Sequence, residues 1–204
     1  MKYPKIVFLL ASLTIIFTVF GFWFKKNNQN VVPTPVTPWS GTPTNRPRPE
    51  KITKVDSGDG KISLILSTKQ TSDDAIDNVF KVSDNSKNQE WPLFEKTTTP
   101  ATSISIPINA WTPDDKQLFF IENGPETHYY VFKADGASFK NGDKFLDVAN
   151  FWAKSKNNYA IKNVTGWASG DLLIVETLKP DGTTGPWFWF VTSSRKFLQL
   201  RPGP

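Results

Sequence analysis

Side chains able to do chemistry are few in this chain and thinly spread. The sequence has no Cys and one His, which removes thiolate nucleophiles, disulfides, Cys-based zinc sites and multi-His metal centres. His128 stands at the head of an aromatic run, after Pro125-Glu126-Thr127. A general base needs a nucleophile and an orienting acid, and no nucleophile-elbow pattern supplies them, so His128 reads as a strand-end histidine. Asp56, Asp59, Asp114 and Asp115 are the acids that invite a calcium or paired-carboxylate reading. Calcium takes about 6–8 oxygens, and Asp56-Ser57-Gly58-Asp59-Gly60 offers two carboxylates, so these aspartates read as turn residues. The same reasoning applies to a glycosidase pair, since no spacing sets two acids on a common wall. Gly-rich phosphate loops are absent, and Asn163-Val164-Thr165 is a glycosylation acceptor only in a eukaryotic secretory route. Trp187-Phe188-Trp189-Phe190 puts two tryptophans on one face of a strand and two phenylalanines on the other. It reads first as core; its functional alternative is a stacking platform of Trp187 and Trp189 for sugar rings. No catalytic residue, cofactor site or metal site is assigned.

Charge bears on partners. The formal net charge is +5 over 204 residues, but residues 1–50 hold six basic side chains, Lys2, Lys5, Lys25, Lys26, Arg46 and Arg48, against Glu50 alone. The remaining 154 residues are neutral, with 18 basic and 18 acidic groups. A basic stripe for nucleic acid is therefore not expected.

After a short flank, 1–5, the stretch from Ile6 to Phe24 runs 19 residues without a charge. As a helix rising about 1.5 Å per residue it spans the ~30 Å hydrocarbon core. Phe22, Trp23, Phe24, Lys25 and Lys26 then supply interfacial aromatic and basic groups. A secretory peptide has a shorter apolar region and a small-residue cleavage site, so an uncleaved single-pass anchor in the bilayer is expected, with the C-terminal domain outside the cytoplasm. Residues 25–50 are a Pro/Thr-rich linker, stiffened toward polyproline II.

Residues 51–204 carry short apolar or alternating segments broken by Asp, Gly, Asn and Pro, the pattern of strands and tight turns. SISIPINAW, KQLFFIEN, HYYVFKAD, DLLIVETL and PWFWFVT are rich in aromatic and β-branched residues. Asp73–Val79 and Asp147–Lys154 are the two places for a helical turn. Val55-Asp-Ser-Gly-Asp59, Trp111-Thr-Pro-Asp-Asp115 and Trp167-Ala-Ser-Gly-Asp171 recur 56 residues apart, each just before a strand. Repeats of four strands follow, at about 51–98, 99–154 and 155–204.

Trp111-Thr-Pro-Asp-Asp-Lys-Gln-Leu-Phe-Phe-Ile, followed by Tyr129-Tyr-Val-Phe-Lys-Ala-Asp-Gly136, resembles the W-S-P-D-G-K-x-L-A-F repeat of TolB-like and prolyl oligopeptidase-type, WD40-like propellers. In the third repeat Trp167, Ser169 and Asp171 keep the pattern without its Pro; in the first, Asp59 remains and Val55 takes the place of Trp. The resemblance implies blades whose Trp111, Pro113, Asp115, Trp167, Ser169, Asp171 and Asp59 are structural, and a role in binding a protein or envelope polymer. It brings no catalytic residue with it.

Three blades do not close a ring. Either two chains pair, as a homo-oligomer that closes open β-edges and apolar faces, or the strands form a β-sandwich or irregular double sheet. The expectation is an all-β, membrane-tethered, non-enzymatic binding or scaffolding module. The rivals are a wall-acting hydrolase using Asp or Glu, and a carbohydrate-binding module built on Trp187 and Trp189.

Overall fold

The computed structural model describes residues 49–200. Ile6, Phe24, Lys25 and Lys26 of the expected anchor, and most of the linker, lie outside them. Among the described residues no helix is long and apolar enough to cross a membrane.

The chain forms three four-stranded antiparallel sheets, each a meander of consecutive strands, and none closes on itself. The first holds β1 (Lys51–Asp56), β2 (Ile62–Gln70), β3 (Ile76–Asp84) and β4 (Gln89–Thr98). In the second are β5 (Ser103–Ser105), β6 (Gln117–Asn123), β7 (Thr127–Lys133) and β8 (Leu146–Asp147). The third contains β9 (Ala160–Ser169), β10 (Leu172–Leu178), β11 (Phe188–Val191) and β12 (Lys196–Gln199). The all-β expectation therefore holds.

One helix, α1 (Val148–Lys154), follows β8. It begins where a helical turn is expected, because the Asp147 carboxylate caps the Ala149 and Asn150 amides. At the other expected helical turn there is none. Residues from Ile76 onward pair with β2 over nine positions, from Ile76↔Gln70 to Asp84↔Ile62, and this ladder overrides the cap-like Asp73-Asp74.

Alternation along the middle sheet explains how the layers pack. Leu118, Phe120, Tyr130 and Phe132 face the first sheet and meet Leu64, Leu66, Phe80 and Val82. Their neighbours Phe119, Tyr129 and Val131 face the third and meet Val164, Leu173, Val175, Phe188 and Phe190. Period-two side-chain direction thus makes one sheet serve two cores. The arrangement is three layers, with the second sheet between the others, and a double sheet does not describe it.

The two outward faces differ. Across the first sheet, Lys54, Asp56, Lys81, Glu90, Glu95 and Thr97 are exposed, with Lys54 paired to Asp56 at 3.3 Å and Thr97 bonded to Asp77 at 2.7 Å. Ile52, Ile65 and Val79 sit among them, the last two half-buried. Open apolar faces at both ends, as expected from three repeats, are not what the chain has: the first sheet ends the stack with a charged face.

Candidate functional site

The motif turns are latches between sheets. Trp111 is 8% exposed and its indole Nε1 donates to the Val55 carbonyl at 3.1 Å. Half-buried Trp167 donates in the same way to Ala110 at 2.9 Å. Gly58 and Asp59 donate backbone N–H groups to the Asp115 carboxylate at 2.9 and 3.4 Å. From β6, Gln117 Nε2 donates to the Gly170 carbonyl at 2.7 Å. Pro113 is exposed. Asp171 instead ties down its own sheet, accepting from Ser193 at 3.0 Å and from Ser169 at 3.4 Å.

Hydrogen bonding also corrects the register of the first repeat. Ser57 N donates to Ile62 O, and Gly60 N to Ser57 O; Thr112 N donates to Gln117 O, and Asp115 N to Thr112 O. Ser57 therefore corresponds to Thr112, Gly60 to Asp115, and Asp56 rather than Val55 holds the Trp position. Gly60 and Asp115 both have positive φ, 71° and 56°. Asp59 matches Asp114, and each pairs with the lysine two residues on, Lys61 at 2.7 Å and Lys116 at 3.3 Å. The first spacing is thus 55 residues, one short of the alignment by residue type.

Two clefts open beside these turns, one on each side of the middle sheet. The larger, about 480 Å³, is lined by Trp91, Asp115, Gln117, Lys133 and Asp135 among others. A second, about 250 Å³, is lined by Gln117, Lys133, Lys140, Asp171, Ser193 and Arg195 among others. Gln117 and Lys133 border both. Gln117 Oε1 is buried with no hydrogen-bond partner, a place for an ordered water. Most of the cations are engaged: Lys133 donates to the Ser138 carbonyl at 2.9 Å, and Arg195 pairs with Asp143 at 2.7 Å.

The outer face of the third sheet is apolar. Ile174, Trp189 and Leu198 form a row across β10, β11 and β12, with Leu172 and Val191 beside it. Trp187, just before β11, shares their side and is 45% exposed; Leu198 is 51% exposed. The two phenylalanines of the aromatic run face inward, Phe188 at 3% and Phe190 at 0%. Only the tryptophan half of that run faces outward.

His128 Nδ1 lies 2.9 Å from the Asp147 carboxylate, whose other oxygen caps α1. Its ring stacks on Tyr130, and the Tyr130 hydroxyl accepts from Lys96 at 3.3 Å. Lys96 also meets both oxygens of buried Glu122 at 2.8 and 2.6 Å. Burial works against the Lys96 ammonium, but the bonds to Glu122 and Tyr130 outweigh it and raise its pKa. This group joins the first sheet to the second. Among the described residues no serine or threonine hydroxyl is bonded to the imidazole, and no three His, Asp or Glu side chains gather to hold a metal.

Comparison with protein-family models, with curated proteins and with solved structures finds no match. The reading of function therefore rests on the geometry.

Several turn carboxylates are held below their ordinary range. Asp59 is lowered to about 2, first by its bond to the Lys61 ammonium, then by the Lys61 amide and Ser57 hydroxyl. Asp84 is pushed down chiefly by Ser86 and then Lys87. A carboxylate with a depressed folded pKa contributes stability above its unfolded value, near 3.9, and loses it as pH falls through the folded value. The thermal midpoint is expected to drop between about pH 4 and pH 2, and less steeply in an Asp59→Asn, Asp84→Asn double variant. An unchanged midpoint at pH 2 would contradict this.

Proposed function

We propose that this chain is a membrane-tethered, extracytoplasmic binding or scaffolding module, anchored by residues 6–24 and carried on the 25–50 linker. Its three sheets act as propeller-type blades in an open stack, without a catalytic centre. What supports a binding role is the contrast between the end faces: charged on the first sheet, and apolar across Ile174, Trp189, Leu198, Leu172 and Val191 on the third. A contiguous exposed apolar patch on a folded surface marks an interaction site.

The occupant is a protein surface. A sugar platform needs hydrogen-bonding groups around its rings; Trp189 is flanked by Ile174, Leu198 and Val191, and the polar groups of this face, Lys196 opposite Val191 and Glu176 paired with Lys162, lie at its margins. The envelope-polymer reading keeps one favourable observation, two tryptophans two residues apart on one side of a strand.

A Trp187→Ala, Trp189→Ala double variant separates these readings. Both side chains point away from the core, so folding is expected to survive, with a loss of no more than about 1–2 kcal/mol by denaturant titration. Retention of the full chain on insoluble envelope polysaccharide is expected to be weak in both forms. Strong retention lost in the variant would favour the polymer. Release of reducing ends that persists in the variant would favour a hydrolase instead.

A further inference from the structure

We propose that the outer face of the third sheet packs against the same face of a second copy of this chain, forming a two-fold, face-to-face contact. This rests on the binding role proposed above and names its partner.

The chain already uses this mode of packing twice. Each internal interface presses one sheet face on another through rows of aromatic and aliphatic side chains, as with Phe120 on Phe80, ring centroids 4.0 Å apart. The row Ile174–Trp189–Leu198 repeats that construction where no further sheet follows within the described residues.

A head-to-tail stack would set this apolar row against the first sheet's outer face. That would bury the Lys54–Asp56 and Lys81–Glu90 pairs and Glu95, all exposed, against hydrocarbon, and taking ion pairs out of water costs more than their attraction returns. Like on like avoids it, and a two-fold contact closes on itself. Charge does not oppose the pairing. Lys162 and Glu176 lie 3.9 Å apart and neutralise one another at one margin, and Lys196 is at the end of its strand, exposed to water.

Area sets the strength. Each strand residue covers roughly 16 Å² of sheet plane, from a strand spacing of about 4.8 Å and a rise of about 3.4 Å. The third sheet has strands of ten, seven, four and four residues, so its face projects on the order of 400 Å². Two faces give on the order of 800 Å², below the ~1,200 Å² of stable specific interfaces. Trp187 adds to this from the margin. The contact is therefore reversible and concentration-dependent, and attachment to a shared bilayer raises its occupancy through effective concentration.

The test uses the absence of native Cys. Single Leu198→Cys and Ile52→Cys variants of the full chain are placed in lipid vesicles at low density. Each is treated with a bis-maleimide spanning about the 10 Å between packed sheets. Both positions are exposed, at 51% and 66%, so reactivity alone does not separate them. Leu198→Cys is expected to form covalent dimers and Ile52→Cys is not. Adding Ile174→Lys or Leu172→Lys to Leu198→Cys, with near-ultraviolet circular dichroism confirming the fold, is expected to cut the dimer at least about tenfold. Equal yields at the two positions, or a yield indifferent to the lysines, would overturn the proposal. Absence of cross-linking at Leu198→Cys would also overturn it, leaving the face open to a different protein and the binding role intact.

Discussion

Replacing Trp111 by alanine is expected to remove about 3–5 kcal/mol of stability, the range for deleting a buried aromatic side chain. Against a typical total of about 5–15 kcal/mol, that leaves a large unfolded fraction at moderate denaturant. The size of the effect follows from two contributions at one position. The ring is 8% exposed and packs in the core shared by the first and second sheets. Its Nε1 also satisfies the Val55 carbonyl across 56 residues of sequence. Trp111→Phe separates the two, keeping most of the buried ring and losing the hydrogen bond, for about 1 kcal/mol. Trp167→Ala is expected to cost less than Trp111→Ala, because Trp167 makes the equivalent bond to Ala110 from a half-buried position. Urea midpoints of the three variants check the order. A Trp111→Ala loss below that of Trp167→Ala would show that burial at the first junction is not what holds the stack.

Strand positions were legible because alternation and β-rich composition act within a few residues. KQLFFIEN and HYYVFKAD predict β6 and β7 almost to their ends, and both are strands over Gln117–Asn123 and Thr127–Lys133. The layering also left a trace in those segments. LFFI and YYVF are unbroken apolar runs, which is what a strand buried on both faces needs; LLIV of β10 and FWFV of β11 are equally unbroken in an end sheet whose outer face is apolar, so the run alone does not separate middle from end.

The latches were out of reach for a physical reason. They join a side chain to a backbone group 53–57 residues away, and no local pattern encodes that partner. For the same reason Asp115, read as a turn residue bonding its own backbone, turns out to accept from Gly58 and Asp59 of the preceding repeat. The one-residue offset of the first repeat arises because residue type favoured Val55 as the apolar match to Trp111, while the ladder pairs Asp56 with Ser63 as it pairs Trp111 with Leu118. Trp187 and Trp189, read first as core, point outward because Phe188 and Phe190 take the inward parity against Trp152 and Phe197.

Phe119 and Phe120 are adjacent in sequence and belong to different cores, so alanine at each is expected to loosen a different junction. Phe120 stacks on Phe80 at 4.0 Å and on Phe132 at 5.3 Å; Phe119 meets Trp167 edge-on at 6.1 Å. Both are 0% exposed, so each substitution is expected to cost about 3–5 kcal/mol. The separation is expected to appear in amide hydrogen exchange. In a stack where each sheet touches only its neighbour, stability divides into sheet terms and junction terms. Phe120→Ala then releases β2 and β3 while β10 and β11 keep their protection, and Phe119→Ala does the reverse. The first sheet is held to the second by the Phe120 junction, the latches, the Lys96–Glu122 pair and the Trp91 bond to the Ala134 carbonyl, and the last two are expected to slow its release without preventing it. If both variants instead lose protection uniformly across all three sheets, the 150-odd residues unfold as one unit, and the sheets are not separable layers but one cooperative core in which the middle strands carry both junctions at once.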